Sequence, residues 1–266
     1  LIALISLYIY SKNVYIMTSV CLQGDCLELM KGLENKSVDL FICDLPYGCL
    51  KPQKKVITKC LHTSVWDKKI DLDEFWIQIK RLCKNDKTPV IMFCSTKFGN
   101  DLINSNSSWF RYDLILNKNR GVSFLSANKM PLRSHELIYV FSKKGANYNR
   151  IDEHVEGAPE YNYLPGGVKN STVYNSKVER LVSAGDKNMR CSLSVININM
   201  KKDKKHPTAK PIAIYDWLIK RYSNEDDIIL DPTAGSFNSG RSALALNRNY
   251  IGMEMDDDFY NQNKLD

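Results

Sequence analysis

Four short apolar runs in this chain each end at an acidic residue, and this pattern constrains the fold more than any other feature. The runs are rich in β-branched residues, which is typical of buried strands. They end at Asp25, Asp44, Asp231 and Glu254. Segments with helical spacing of apolar residues separate them, so strands and helices alternate. The pattern predicts an α/β fold with a mostly parallel sheet whose strands end at one edge, where such sheets bind ligands.

The second of these runs, residues 38–43, leads into Asp44-Leu45-Pro46-Tyr47-Gly48. Pro46 has no amide hydrogen and fixes its own φ, so the chain must turn there. The turn presents a carboxylate, a backbone carbonyl and an aromatic ring at the end of a strand. Two acceptors beside a flat ring suit a planar substrate that carries an amino group. For these five residues alone, a strand-ending turn without chemistry is the alternative.

The third acid is followed by the small-residue loop Pro232-Thr233-Ala234-Gly235-Ser236, which leads into a helix. Small residues let a ligand approach the backbone closely. Glu254 ends the next strand, about 20 residues further on, where an acid can bind ribose hydroxyls. The loop is not G-x-G-x-x-G and has no Lys-Ser/Thr phosphate grip, which disfavours a nucleoside triphosphate. A cationic sulfonium ligand fits a ring of acids better than a pyrophosphate does.

Length, charge and cysteine usage set broader limits. The 266 residues fit one α/β domain with an inserted segment, and the net charge of +7 suits a polyanionic partner as well as a merely soluble basic enzyme. The eight cysteines form no C-x-x-C pair, and the four histidines do not join them at zinc spacing. We therefore expect no metal site and reduced thiols in a cytosolic setting. Residues 1–16 are expected to lie outside the core fold.

Asp44-Leu45-Pro46-Tyr47 resembles the (D/N/S)-P-P-Y motif of S-adenosylmethionine-dependent amino-methyltransferases, with Leu45 in place of the first proline. Its acidic first residue resembles the adenine-N6 branch. The later segments His206–Pro211, Asp231–Ser236 and Glu254 follow in the order of the cofactor block of the β class of DNA amino-methyltransferases. In that permuted class the catalytic half comes first. Phe237 stands where the D-P-x-x-G-S-G loop has its second glycine.

This resemblance implies a Rossmann-like three-layer α/β sandwich. Its sheet would be mostly parallel and seven-stranded, with one antiparallel strand. The implied divisions are a catalytic half over 17–145, a target-recognition insert over 146–205 and a cofactor-binding half over 206–266. Composition also marks the insert, since Asn, Tyr, Lys and Gly dominate and no long helix is supported. Aromatic residues interleaved with Lys and Arg can stack and pair with nucleic acid, although the segment by itself could equally be a solvated insertion.

The implied activity is methyl transfer from S-adenosylmethionine to the exocyclic N6 of a flipped-out adenine in double-stranded DNA. Asp44 and a carbonyl near Leu45 or Pro46 would accept the two amine hydrogens, and Tyr47 would stack on the base. In the cofactor site, Asp25 would hold the adenine amine and Glu254 the ribose. Asp231, Gly235 and Ser236 would border the methionine part, and Thr208 and Lys210 would lie near the methionine carboxylate. Pro232 and Thr233 complete the set of implied cofactor-binding residues.

Two kinds of alternative stay open. Cytosine N4, RNA or a glutamine side chain could be the acceptor on the same fold, although an aspartate at position 44 tilts against them. A catalytically inactive, methyltransferase-like DNA-binding subunit is the alternative from another class; Leu45 and Phe237 favour it, whereas Asp44 and Tyr47 oppose it. A homodimer and a cognate restriction nuclease stay open as partners, no membrane is expected, and the implied location is the cytoplasm in a bacterial, phage or viral setting.

Overall fold

A computed structural model describes residues 18–48, 69–122, 124–154, 189–198 and 209–265. They fall into two compact units, one running up to Asn149 and again from Ser194 onwards, the other from Arg150 to Leu193. The expectations for residues 1–16, for Thr208 and for residues 155–188 and 199–205 of the predicted insert lie outside the described residues. Within those residues, no helix is long and apolar enough to cross a bilayer.

The first unit is built on one sheet of eight strands. The strands of the described chain are β1 (Ser19–Gln23), β2 (Leu40–Cys43), β3 (Val90–Cys94), β4 (Phe110–Val122), β5 (Arg133–Phe141), β6 (Glu153–His154), β7 (Met189–Arg190), β8 (Val195–Asn197), β9 (Ile228–Asp231) and β10 (Asn249–Glu254). The order across the sheet is β1-β10-β9-β2-β3-β5-β4-β8. Only β5 runs against its neighbours, which confirms the mostly parallel sheet with one antiparallel strand. The eighth strand, β8, was not predicted.

Helices cover both faces of this sheet. They are α1 (Cys26–Lys31), α2 (Leu72–Leu82), α3 (Thr96–Ser105), α4 (Ile212–Tyr222), α5 (Asn238–Ala245) and α6 (Asp257–Asn263). Consecutive strand residues point to opposite sides, so β2 sends Phe41 and Cys43 into one apolar cluster with α1, α2 and α3. Leu40 and Ile42 enter a second cluster with α4 and α5. This arrangement confirms the three-layer sandwich.

Local sequence signals explain where several helices begin. The carboxylate of Asp71 caps α2 by accepting hydrogen bonds from the backbone N–H groups of Asp73 (2.9 Å) and Glu74 (3.1 Å). Pro211 directly precedes α4, where its fixed φ suits a helix start. The six described cysteines carry free thiols.

The second unit covers a shorter range than the predicted insert. Tyr148 and Asn149, which precede it, belong to the first unit: Tyr148 packs on Tyr222 with ring centroids 5.6 Å apart, and the Asn149 backbone N–H donates to the Arg221 carbonyl at 2.6 Å. At its end, Val195–Asn197 is already strand β8, paired with Ile115–Asn117 of β4. Inside the second unit, β6 pairs with β7 in antiparallel fashion. The second compact unit thus runs from Arg150 to Leu193, and the target-recognition insert over 146–205 stays a prediction.

Candidate active site

The four strand-end acids occupy adjacent positions along one edge of the sheet. Strands β1, β10, β9 and β2 are consecutive neighbours and run parallel, so their carboxyl ends meet. Asp25 follows β1, Glu254 ends β10, Asp231 ends β9 and Asp44 follows β2. Since neighbouring strands lie about 4.8 Å apart, the four positions span roughly 15 Å. The fold thus brings the first and last parts of the chain to one site.

Two hydrogen bonds hold the carboxylate of Asp44. The Tyr47 hydroxyl donates to Oδ1 at 3.0 Å, and the Lys210 ammonium donates to Oδ2 at 2.5 Å. The Tyr47 ring stacks on Phe98 with centroids 5.1 Å apart. Burial, reinforced by the charge of Asp44, raises the pKa of Tyr47 above its usual range, so its hydroxyl stays a donor at neutral pH. The turn therefore fixes an acceptor beside an aromatic ring.

Lys210 lies between two carboxylates. Its side chain is only 8% exposed, and Nζ lies 2.5 Å from Asp44 Oδ2 and 3.5 Å from Glu136 Oε2. Lys118 forms a second ion pair with Glu136 through the other carboxylate oxygen. Burial alone would lower the pKa of Lys210, but Asp44 and Glu136 raise it above its ordinary value. The site thus contains an alternating chain of charges: Lys118, Glu136, Lys210 and Asp44.

Glu136 links Lys118 to Lys210 in this row of charges, and the sequence analysis did not predict it as a site residue. Burial works to raise the pKa of Glu136, yet Lys210 and Lys118 together hold it below its ordinary value. Among the described residues, its Oε2 atom accepts no hydrogen bond, because Lys210 stays at 3.5 Å. A usable signal was present, since Glu136 lies in the otherwise apolar strand sequence of 135–141, and a buried carboxylate needs a cationic partner.

Asp231 anchors the loop that follows β9. It is 3% exposed, and its carboxylate accepts hydrogen bonds from the Thr233 N–H at 3.0 Å and from the Ser239 hydroxyl at 2.5 Å. Burial raises the pKa of Asp231 to about 7, against the opposing effect of these hydrogen bonds. The Ser239 hydroxyl also lies 2.9 Å from the hydroxyl of Tyr250. Asp231 therefore holds the start of the loop at Thr233 and the first turn of α5 at Ser239.

Glu254 holds the same loop at Gly235. Its carboxylate accepts hydrogen bonds from the backbone N–H groups of Gly235 and Asp256, both at 2.8 Å. Burial raises the pKa of Glu254. Gly235 has a φ of +51°, and a Cβ added there would meet nothing within 4 Å. The backbone at Gly235 consequently borders open space that a ligand can fill.

The other predicted cofactor residues have different surroundings. Pro232 is buried, Thr233 and Ser236 are partly buried, and the Thr233 hydroxyl oxygen is buried without a hydrogen-bond partner in the described part of the chain. Asp25 caps α1, since its carboxylate accepts from the Leu27 N–H at 2.8 Å. Lys210 contacts Asp44 rather than standing as a free cation beside the loop. Thr208 lies outside the described residues.

Phe237 replaces the expected glycine without changing the backbone geometry that a glycine favours. Its φ is +54°, in the left-handed region. Its ring is fully buried in the second core cluster and packs against Tyr260 with centroids 6.2 Å apart. Its N–H donates to the Ala234 carbonyl at 2.8 Å. The phenylalanine at this position therefore keeps a left-handed backbone conformation, and the second core cluster holds its ring.

Comparisons by sequence agree with this geometry. A family model described as "DNA methylase" matches residues 38–265. The Type II methyltransferase M2.MboI of Moraxella bovis is 25% identical over 254 residues, which cover 91% of this chain and 85% of that protein. The DNA adenine methyltransferase YhdJ of Escherichia coli (strain K12) is 43% identical over 60 residues, covering 23% of this chain and 20% of that protein.

Comparisons by structure support the fold. The crystal structure of an M1.HpyAVI–SAM complex aligns with a TM-score of 0.55 and 18% identity, covering 92% of this chain and 97% of that one. The PvuII DNA methyltransferase, titled cytosine-N4-specific, aligns with a TM-score of 0.59 and 14% identity, covering 93% of this chain and 86% of that one.

Proposed function

The chain belongs to the DNA methylase family, and from this premise we propose that it moves a methyl group from S-adenosylmethionine to N6 of a flipped-out adenine in duplex DNA. DNA methylation with S-adenosylmethionine as methyl donor is the reaction of the family. The observation that carries the choice of acceptor is the turn after β2. There, the Asp44 carboxylate is held by Tyr47 and Lys210 beside a stacked ring.

The strand-end residues fit S-adenosylmethionine. Open space borders the backbone at Gly235, the buried Thr233 hydroxyl lacks a partner among the described residues, and the Glu254 carboxylate has lone pairs left for ribose hydroxyls. When bound, the cofactor supplies an electrophilic methyl group on a sulfonium. The residues that would border it are Asp25 at the adenine, Glu254 at the ribose, and Asp231, Pro232, Thr233, Gly235 and Ser236 at the methionine part.

Asp44 would make the target nitrogen more nucleophilic. An exocyclic amine on a base is a poor nucleophile because its lone pair conjugates with the ring. Accepting its two hydrogens, at the Asp44 carboxylate and at a carbonyl of the Leu45-Pro46 turn, pushes the nitrogen towards tetrahedral geometry, which acts mainly in the transition state. A carboxylate offers about four lone-pair sites. Tyr47 and Lys210 occupy two, so acceptor capacity remains for the amine.

Tyr47 and Lys210 would prepare this acceptor before the base arrives. One face of the Tyr47 ring is covered by Phe98, so the other face is the one that would stack on the flipped base. Lys210 balances the charge of Asp44 in a largely buried position, which matters more as an entering base displaces water. We therefore assign Lys210 to the positioning of Asp44 and not to the methionine carboxylate.

Adenine is favoured over cytosine by Asp44 itself, since the aspartate form of the motif resembles the adenine-N6 branch. The likeness to the cytosine-N4-specific PvuII enzyme is one of fold, at 14% identity. The inactive-subunit alternative is disfavoured by the intact network around Asp44. Duplex DNA is the partner of this reaction; a homodimer, a cognate restriction nuclease and a cytoplasmic location belong to the proposal and rest on the resemblance alone.

One experiment tests the proposal. The protein and its Asp44→Ala variant are expressed in a host without adenine methylation, and the host DNA is sequenced by a method that detects modified bases. We expect N6-methyladenine at one sequence with the wild type and none with Asp44→Ala, while calorimetric titration shows that the variant still binds S-adenosylmethionine. N4-methylcytosine would select the cytosine alternative. Failure of the wild type to bind the cofactor would select the inactive subunit.

A further inference from the structure

The connection between β4 and β5 forms a hairpin that projects from the site edge. The last pair between β3 and β5 is Cys94 with Leu137, so residues 133–136 of β5 extend past the carboxyl end of β3. At 3.3–3.4 Å per residue this extension is roughly 13 Å long. Its ladder to β4 continues through Leu116–Glu136 and Asn117–His135 to Val122–Arg133. The hairpin therefore begins at Glu136, inside the charged network of the site.

The tip of this hairpin contains a short turn and exposes apolar side chains. Phe124–Ser126 forms a single 3₁₀ turn, and backbone hydrogen bonds from Ala127, Lys129 and Met130 close it at 2.9–3.0 Å. Phe124 is 79% exposed, Leu125 97% and Met130 54%. A Cβ at Gly121 would lie 2.8 Å from Leu132 Cβ, so the two arms meet there closely. A built tip that exposes large apolar side chains marks an interaction surface.

The charge of the hairpin identifies its partner. Residues 117–134 contain four cations, Lys118, Arg120, Lys129 and Arg133, and no acidic residue. Lys118 is paired with Glu136 at the base of the hairpin, whereas Lys129 is exposed beside the apolar tip. A segment with this excess of positive charge attracts a polyanion and repels a second copy of itself. Apolar residues between cations are also what proteins insert between base steps to unstack a duplex. Duplex DNA is thus the occupant that both the apolar tip and the flanking charge fit.

We propose that the β4–β5 hairpin is the wedge of this enzyme: Phe124 and Leu125 enter the duplex beside the target base, and Lys129 contacts the backbone phosphates. The inference rests on the proposed function, because a base paired in a duplex must leave the stack before Asp44 can reach its amine. The ion pair between Lys118 and Glu136 joins the arms at the base of the hairpin to the Lys210–Asp44 pair. The base of the hairpin and the turn that carries Asp44 are therefore linked through one network of ion pairs.

The test compares the double variant Phe124→Ala/Leu125→Ala with the wild type on two substrates. Both are duplex oligonucleotides carrying the sequence identified by the host-DNA experiment; the second has an abasic site opposite the target adenine. Unstacking a paired base costs a few kcal/mol, so we expect kcat/KM on the paired duplex to fall about tenfold to hundredfold. On the abasic duplex, where the target is already unpaired, the variant should stay close to the wild type.

The matched control is Ile77→Ala, an exposed apolar residue on α2 (62% exposed) that should leave both rates unchanged. Fluorescence of 2-aminopurine at the target position reports unstacking directly and should rise less with the double variant. Equal loss on both duplexes would show a plain binding contact and overturn the wedge, as would no loss at all. If, without DNA, the double variant had a different sedimentation coefficient from the wild type, the tip would be a dimer contact instead. A wild type that methylates no DNA would contradict the proposed function, which is a different result.

Discussion

At the residue scale, the acids along one sheet edge have pKa values shifted in opposite directions because their hydrogen-bond and charge partners differ. Asp231 is surrounded by uncharged donors, so burial dominates and its pKa rises to about 7. Glu136 is also shielded from solvent, but two ammonium groups hold its pKa below the ordinary value. The contrast follows from the rule that a nearby opposite charge stabilises the ionised form, whereas desolvation alone opposes it. The same edge can therefore hold a fixed anion and a carboxyl that responds to pH.

Lys210→Met should be strongly destabilising, because it leaves Asp44 and Glu136 as carboxylates without their shared cation. Breaking a buried ion pair in this way costs about 3–5 kcal/mol. Adding Glu136→Gln removes one of the two carboxylates that face Lys210, so the double variant should be less destabilised than the sum of the single changes. Urea unfolding of all four proteins measures this coupling. Lys69→Met, in the exposed Lys69–Asp101 pair, should cost below about 1 kcal/mol. Strict additivity at Lys210 and Glu136 would contradict the network.

Asp231→Asn should change how stability depends on pH. A folded-state pKa of about 7 against an ordinary value of 3.8 means that the folded protein binds the proton more tightly than the unfolded chain. Wild-type stability therefore falls as pH rises through this window, by up to about 4 kcal/mol in total. The asparagine retains an acceptor for Thr233 and does not titrate. The free energy of unfolding of the variant, relative to that of the wild type, should be higher at pH 8 than at pH 5. A difference between the two proteins that is the same at both pH values would refute the pKa shift.

How far the site could be predicted depends on what fixes each residue. Asp25, Asp44, Asp231 and Glu254 were placed correctly at strand ends because an apolar run that stops at an acid is a local signal. The pairing of Lys210 with Asp44 spans 166 positions in the sequence. No local pattern encodes such a contact, since it depends on the order in which the strands lie in the sheet.

At the element scale, the same distinction separates the predicted strands from those that were missed. β2, β9 and β10 are largely buried apolar runs, and the sequence predicts each of them. β4 continues through polar residues to Val122, and its extended form there depends on pairing with β5. β8 is three residues long and exists through its pairing with β4, including the bond from the Ile115 N–H to the Ser194 carbonyl at 2.8 Å. Pairing with neighbouring strands, and not the β propensity of their own residues, therefore makes these two segments extended.

The loop into α5 offers a test of why a phenylalanine is tolerated at a left-handed position. Phe237→Gly relieves a backbone cost of about 1–2 kcal/mol but forfeits a buried ring, which is worth about 3–5 kcal/mol. The glycine variant should therefore be less stable than the wild type. Phe237→Ala loses the ring and keeps the backbone cost, so it should be less stable than the glycine variant by about 1–2 kcal/mol. Chemical denaturation of the three proteins gives the order, and a glycine variant as stable as the wild type would mean that the ring only offsets the backbone cost.

At the scale of the whole molecule, positive charge is distributed unevenly. The inserted unit, residues 150–193, contains six Lys or Arg residues and six Asp or Glu residues, so it is neutral. The hairpin segment 117–134 contributes four cations without an acid, and residues 201–205 contribute four lysines and one aspartate. Phosphate contacts hold a duplex in place irrespective of sequence, whereas base contacts choose among sequences. The neutral unit is thus suited to the second task and the basic segments to the first.

Exchanging residues 150–193 for the corresponding segment of a related methyltransferase should accordingly change which sequence is modified, while affinity for S-adenosylmethionine stays the same. When the imported segment has the same number of Lys and Arg residues, the salt dependence of DNA binding should also stay the same, because the basic segments outside the unit supply the phosphate contacts that release counterions. The measurement is methylation of a randomised duplex library at two salt concentrations. As the matched control, charge reversal at Lys201, Lys202, Lys204 and Lys205 should weaken binding to every duplex and flatten its salt dependence. If the exchange leaves the modified sequence unchanged, the inserted unit does not read the bases, and the segment from Lys51 to Thr63 is the next to be exchanged.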